Sequence, residues 1–164
     1  MDLNALVTAI KRQEEALVFD RFDMETAWQI GSTLRSWAET GFMPVVIDIS
    51  LFNRRLFFAA LPGSVPDNEE WVRRKRNVVQ RYHQSSYRFG RDLAAKNDTM
   101  TNRYGLPQAD YAEHGGAFPI TLSGTGVIGA IVVSGLPQEE DHMLIVRALC
   151  DVLGHEFAHF SLQG

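Results

Sequence analysis

Twice along the chain the spacing of apolar residues switches from the helical three-and-four to strict alternation, and each time the run turns back on itself. In 44–52, Val45, Ile47, Ile49 and Leu51 alternate with Val46, Asp48, Ser50 and Phe52. A tight link at Asn53 and Arg54 leads into a second run, 55–61. The same arrangement recurs at 117–122 and 126–134, joined by Ser123, Gly124 and Thr125. Alternation places successive side chains on opposite faces of a strand, and links this short pair neighbouring strands antiparallel. Two hairpins therefore fix an antiparallel sheet, and the remaining segments must cover it.

Those segments read as helices. Leu3, Leu6, Val7 and Ile10 begin a helix reaching about Glu15, and 16–19 reads as a short strand or an extended link. Asp23, three residues before Thr26, is placed to cap a second helix, whose stripe is Ala27, Ile30, Leu34, Trp37 and Ala38 and whose end is Gly41. From Glu69 one long helical pattern carries Trp71, Val78, Val79, Tyr82, Ser86 and Phe89 on one side, and 97–112 is polar and irregular. Gly135, Pro137 and the acids Glu139, Glu140 and Asp141 introduce a last helix through Leu144, Val146, Leu149 and Val152. The expected fold is a single α+β domain spanning residues 1–164, an antiparallel sheet with helices packed on it.

With 45% apolar and 22% charged residues the chain can bury a core, and a net charge of −4 gives no general pull toward nucleic acid. The lone Cys150, flanked by Val146, Leu149 and Leu153, reads as a small buried residue of the last helix. No apolar run reaches the length of a membrane span, and Met-Asp-Leu-Asn lacks the basic-then-apolar pattern of a signal peptide. A cytoplasmic protein without membrane or nucleic-acid partners is the expectation.

The segment from His114 through Gly-Gly-Ala-Phe-Pro to Ile120, then Gly126 through Val-Ile-Gly-Ala-Ile-Val-Val-Ser to Gly135, resembles the signature of the haem-degrading-domain (GlcG/HbpS-like) family. The continuation from Leu136 to His142 and the stretch from Leu61 to Asn68, followed by Trp71, Arg74 and Lys75, resemble the family's short cytoplasmic branch. The likeness covers roughly 45–149. It implies a profilin-like or PAS-like fold, with a sheet of about five strands between helical layers, and a homo-oligomer. Some relatives bind haem, and others sit in operons for glycolate or diol metabolism. Within the signature, Gly129 and Gly135 suit a close neighbour or ligand, or a bulge and a helix entry; Ser134 is placed to cap the last helix.

Three chemistries compete. Haem iron takes His, Tyr, Met or Cys over an apolar cleft, and His114, beside Gly115 and Gly116 at a strand entrance, is the chosen ligand; His83, Tyr82, Tyr104 and Tyr111 are weaker candidates. His142, behind three acids at a helix start, is expected to hold its proton more tightly and so to ligate poorly. Arg74 and Arg81, seven apart on one helix face, are placed to pair a ligand's acidic groups, or else to meet solvent or a neighbouring subunit. The second reading is a non-catalytic, PAS-like scaffold whose work is assembly and partner binding. The third is a metal-dependent hydrolase, since His155, Glu156 and His159 match HExxH, two metal ligands one helical turn apart with a water-activating glutamate. Only 160–164 remains downstream for a third ligand, so a solvated helix end is the preferred reading of that motif. Walker loops, GxSxG and CxxC are all missing from the sequence.

Overall fold

The computed structural model describes residues 1–162; Gln163 and Gly164, the end of the expected 1–164 span, lie outside the described residues. Chain order is α1 (Leu3–Ala16), α2 (Met24–Thr40), β1 (Val46–Leu51), β2 (Arg54–Ala60), α3 (Asp67–Tyr82), α4 (Ser86–Ala95), α5 (Met100–Tyr104), β3 (Ala117–Leu122), β4 (Gly126–Ser134) and α6 (Gln138–Leu153). A 3-10 turn, Phe157–Phe160, follows.

Both hairpins form. They join through β1 and β4 into an antiparallel sheet of order β2-β1-β4-β3. Alternation assigns the faces. Ile47 and Ile49 of β1 lie beside Val133 and Ile131 of β4, and with Phe118 and Ile120 they meet Ala27, Ile30 and Leu34 of α2 and Ile145 and Leu149 of α6. Val46, Ala117, Ala130 and Val132 point the other way and pack on Val72 and Val79 of α3. The sheet is thus covered on both faces. Each fully buried Ile or Leu in these layers contributes about 1.5–3 kcal/mol of transfer free energy.

The sheet has four strands where about five were expected. The 16–19 stretch adds no further strand: Phe19 makes a single parallel bridge to Leu122 on the outer edge of β3, its amide donating to Thr121 O and its carbonyl accepting from Ser123 N. Arg21 and Asp23 then leave the edge, the latter to cap α2 reciprocally with Thr26.

The long helix expected from Glu69 is two helices. His83 adopts a left-handed conformation (φ 54°) that ends α3, and the Ser85 hydroxyl accepts from Arg88 N to start α4. Hydrophobic spacing runs straight through this joint, because Val78 of α3 and Phe89 and Leu93 of α4 share one cluster. The irregular 97–112 segment contains the short α5, whose Met100 and the following Leu106 fill that cluster. Ser134 does not cap α6. The helix has no side-chain cap; Asp141 instead reaches back from its first turn to fix the chain ahead of it, accepting from Gly135 N (3.3 Å) and Leu136 N (3.0 Å). Gly129 fits the close-neighbour reading, since a Cβ there would lie 2.2 Å from Ser50 O on β1.

Candidate functional site

On the α3 side of the sheet, where the first turns of α3 and α6 meet the end of β4, lies a cavity of about 310 Å³. Trp71 and Lys75 come from α3, His114 and Gly115 from the entrance to β3, and Gln138 and Asp141 from α6. The sequence explains this convergence. Trp71 and Lys75 are one turn apart, and the β3–β4 pairing brings 114–116 against 133–135.

The floor is a buried ion pair. Lys75 Nζ donates to Asp141 Oδ2 (3.2 Å) and to Val133 O (3.3 Å), and both side chains are almost fully enclosed. Burial holds the Lys75 ammonium below its usual range, with Asp141 opposing the shift. Burial likewise raises the Asp141 carboxyl to about 6, opposed by Lys75 and by the Leu136 and Gly135 amides. Gly116 (φ 128°) makes room for this pair: a Cβ there would lie 2.6 Å from Lys75 Nζ and 2.4 Å from Val133 O. Gly115 donates to Gln138 Oε1 (3.1 Å), tying the strand entrance to the start of α6.

His114 stands at the mouth. Its ring meets Trp71 edge to face, with centroids 5.2 Å apart. Burial, and then the nearby Lys75 charge, lower its proton affinity, so the imidazole is neutral near pH 7 and carries a free lone pair. Arg74 lies over the Trp71 ring, 4.5 Å from its centroid, and its buried Nε has no hydrogen-bond partner among the described residues. The Tyr87 hydroxyl, 3.1 Å from Glu139 of α6, is pushed up to about 12 by burial and by that carboxylate, so it remains a phenol.

His114 and Arg74 are thus brought together; Arg81 is not. It lies two turns farther along α3, about 10 Å on the helix axis, with NH1 3.4 Å from the Tyr111 hydroxyl and its charge over Tyr82 and Tyr111. Tyr82 and Tyr104 pack with Phe89 away from the cavity, and His83 stacks on Phe52.

His142 reverses its expectation. It is fully buried, and desolvation drives its proton affinity down to about 3. Its Nε2 is 2.7 Å from Gln13 Oε1, and Gln13 Nε2 donates to Phe160 O, so Nε2 carries the proton.

The HExxH geometry does not form. α6 ends at Gly154 in a left-handed conformation (φ 76°), so His155 falls after the helix and His159 on the 3-10 turn, both exposed. The two rings are therefore not set one α-helical turn apart, and His155 packs its edge against Phe160 instead. Among the described residues no three His, Cys, Asp or Glu side chains gather to hold a metal.

Sequence reading passed over Lys75 and Asp141 as members of charged runs. A usable signal was present. Lys75 shares the apolar stripe of Val72, Val78 and Val79, and Asp141 that of Leu144, Ile145 and Leu149; a charge in a buried stripe needs a partner.

A family model described as "Haem degrading protein HbpS-like" matches residues 22–150. The UPF0303 protein of Acidobacterium capsulatum is 51% identical over 162 residues, covering 99% of this chain and 98% of the relative. The UPF0303 protein of Paraburkholderia phymatum is 48% identical over 162 residues, again 99% and 98%. Of solved structures, the Ybr137w protein superposes with a TM-score of 0.84 at 29% identity, over 90% of this chain and 88% of that one. HbpS gives 0.62 at 21% identity over 82% and 92%. A PduOC:heme complex gives 0.66 at 15% identity over 79% and 93%. The last two likenesses concern the fold. No helix among the described residues is long and apolar enough to cross a membrane.

Proposed function

Because the chain belongs to the HbpS-like haem-degrading family, we propose that it is a small-ligand-binding protein whose cavity between α3 and α6 takes an anionic, planar ligand, with haem the first to test. The observation that carries this reading is His114: a neutral imidazole at the mouth of a cavity, against the edge of Trp71 and above a buried lysine. His114 would supply the nitrogen to iron, Trp71 and Leu136 an apolar wall, and Arg74 the charge that pairs an acidic group. The cavity volume, about 310 Å³, lies at the lower end for small-molecule sites, so the outer part of a macrocycle would project from the open mouth. Bound haem supplies redox-active iron; the chain's own contribution is to ligate, to orient and to neutralise carboxylates.

This reading includes a homo-oligomer, a cytoplasmic location and a profilin-like or PAS-like fold in which the Phe19 bridge stands where a fifth strand would be. Titrating the protein with haemin is expected to give a saturable Soret shift that His114→Ala removes and that Arg74→Gln weakens. A native protein that leaves the haemin spectrum unchanged, or a shift identical in His114→Ala, would refute the site.

A further inference from the structure

We propose that a second pocket, at the β1–β2 turn where Arg54 joins Arg55 and Arg76, the two arginines that hold the buried Asp48 carboxylate, binds a phosphate group. It is lined on one side by α3 and on the other by the hairpin, has a volume of about 330 Å³, and includes no carboxylate in its wall.

The organising group is Asp48. It points from β1 to the α3 face of the sheet and is fully buried. Its Oδ1 accepts from the Ser50 hydroxyl (2.6 Å) and from Arg76 NH1 (3.2 Å), and its Oδ2 accepts from Arg55 Nε (2.8 Å). One carboxylate therefore fixes two guanidinium groups by one nitrogen each. Arg55 is held further by Phe58, whose ring centroid is 4.4 Å from its central carbon, and by Glu69 at 3.6 Å. Arg54 has no ion-pair partner among the described residues. Three cations thus face two carboxylates, Asp48 and Glu69, and the positive excess lies in the pocket.

Sheet geometry explains why the excess is there. The register shift between Ile49 and Ser50 puts Arg55 opposite Ser50 and Arg54 opposite Leu51, so consecutive arginines sit at the turn while Arg76 comes across from α3. A guanidinium already immobilised loses little freedom when it binds, and its fork of N–H donors matches a phosphate's oxygens in pairs. The doubly charged tetrahedral anion suits several guanidinium forks better than a singly charged planar carboxylate. Space beyond one phosphate leaves room for the organic part of a monoester. This site shares no lining residue with the α3–α6 cavity and does not depend on what binds there.

The test is a titration of the full-length protein with inorganic phosphate and with phenyl phosphate, followed by 31P NMR at constant ionic strength in chloride. Saturable broadening by either anion, weakened about 3–10-fold by Arg54→Gln and lost in Arg76→Gln, is the expected result; equal binding in His114→Ala separates this pocket from the haemin site. Tighter binding of phenyl phosphate would assign a phosphate monoester, and binding of inorganic phosphate alone would assign the free anion. Arg54 is exposed and holds no other group, so Arg54→Gln keeps the fold intact if Arg76→Gln does not. No saturable effect with either anion in the tens of millimolar, an unchanged response in Arg54→Gln, or acetate binding as tightly as phosphate would overturn the proposal.

Discussion

Gly116 and Lys75 answer each other across the α3–sheet interface. The glycine's φ of 128° is one that side chains rarely adopt, and its missing Cβ is the space into which the Lys75 ammonium fits. The family-like Gly-Gly pair is therefore partly a device for admitting a buried charge. Gly116→Ala is expected to lower stability by roughly 3–5 kcal/mol, since backbone strain adds to a clash with Val133 O that no rotamer relieves. Urea denaturation would measure it, and a loss under about 1 kcal/mol would contradict this account. That two glycines stand before β3 was legible; that one of them faces an ammonium was not, because Lys75 is 41 residues away in sequence.

At the scale of elements, α1 is tied to α6 and to the 3-10 turn through one buried chain of hydrogen bonds, His142 to Gln13 to Phe160 O. This clamp titrates. With a folded value of about 3 against an ordinary 6.5, the neutral ring's contribution is complete above pH 6.5 and is lost as pH falls toward 3. The loss amounts to roughly 4–5 kcal/mol. Asp141 works in the opposite sense, because its raised value, about 6, gives a contribution complete below its unfolded value and lost as pH rises through 6. Comparing native protein with His142→Gln isolates the first effect. The difference in unfolding free energy between them is expected to shrink as pH is lowered from 6.5 to 3.5, and a constant difference would rule it out. Helix positions themselves were well read from periodicity, including the Asp23 cap and the Pro137 entry. The break at His83 was invisible because α3 and α4 present apolar residues to one cluster, and the link between them is His83, Gln84 and Ser85, without glycine or proline.

For the whole molecule, the surface that remains uncovered bears on assembly. Phe42 is 92% exposed and Trp28 61%, large apolar groups that a lone domain gains nothing by showing to water. Light scattering is expected to give a molar mass that is a multiple of 18.5 kDa, reduced by Trp28→Asp or Phe42→Asp. A monomer at micromolar concentration would remove the homo-oligomer from the proposed function.

The two hairpins and the stripes of α1, α2 and α6 followed from sequence alone, since alternation and helical spacing are local properties that a few neighbouring residues decide. His114 stood out by the same local logic, beside two glycines at a strand entrance. Only the tertiary structure joined Lys75 to Asp141 beneath it, brought Arg55 and Arg76 onto Asp48, and took Arg81 and the HExxH histidines out of the site. Those outcomes depend on which face of a helix or strand meets which partner, and on where a helix stops. Desolvation and pairing set them between residues far apart in the chain, and no short stretch of sequence encodes that.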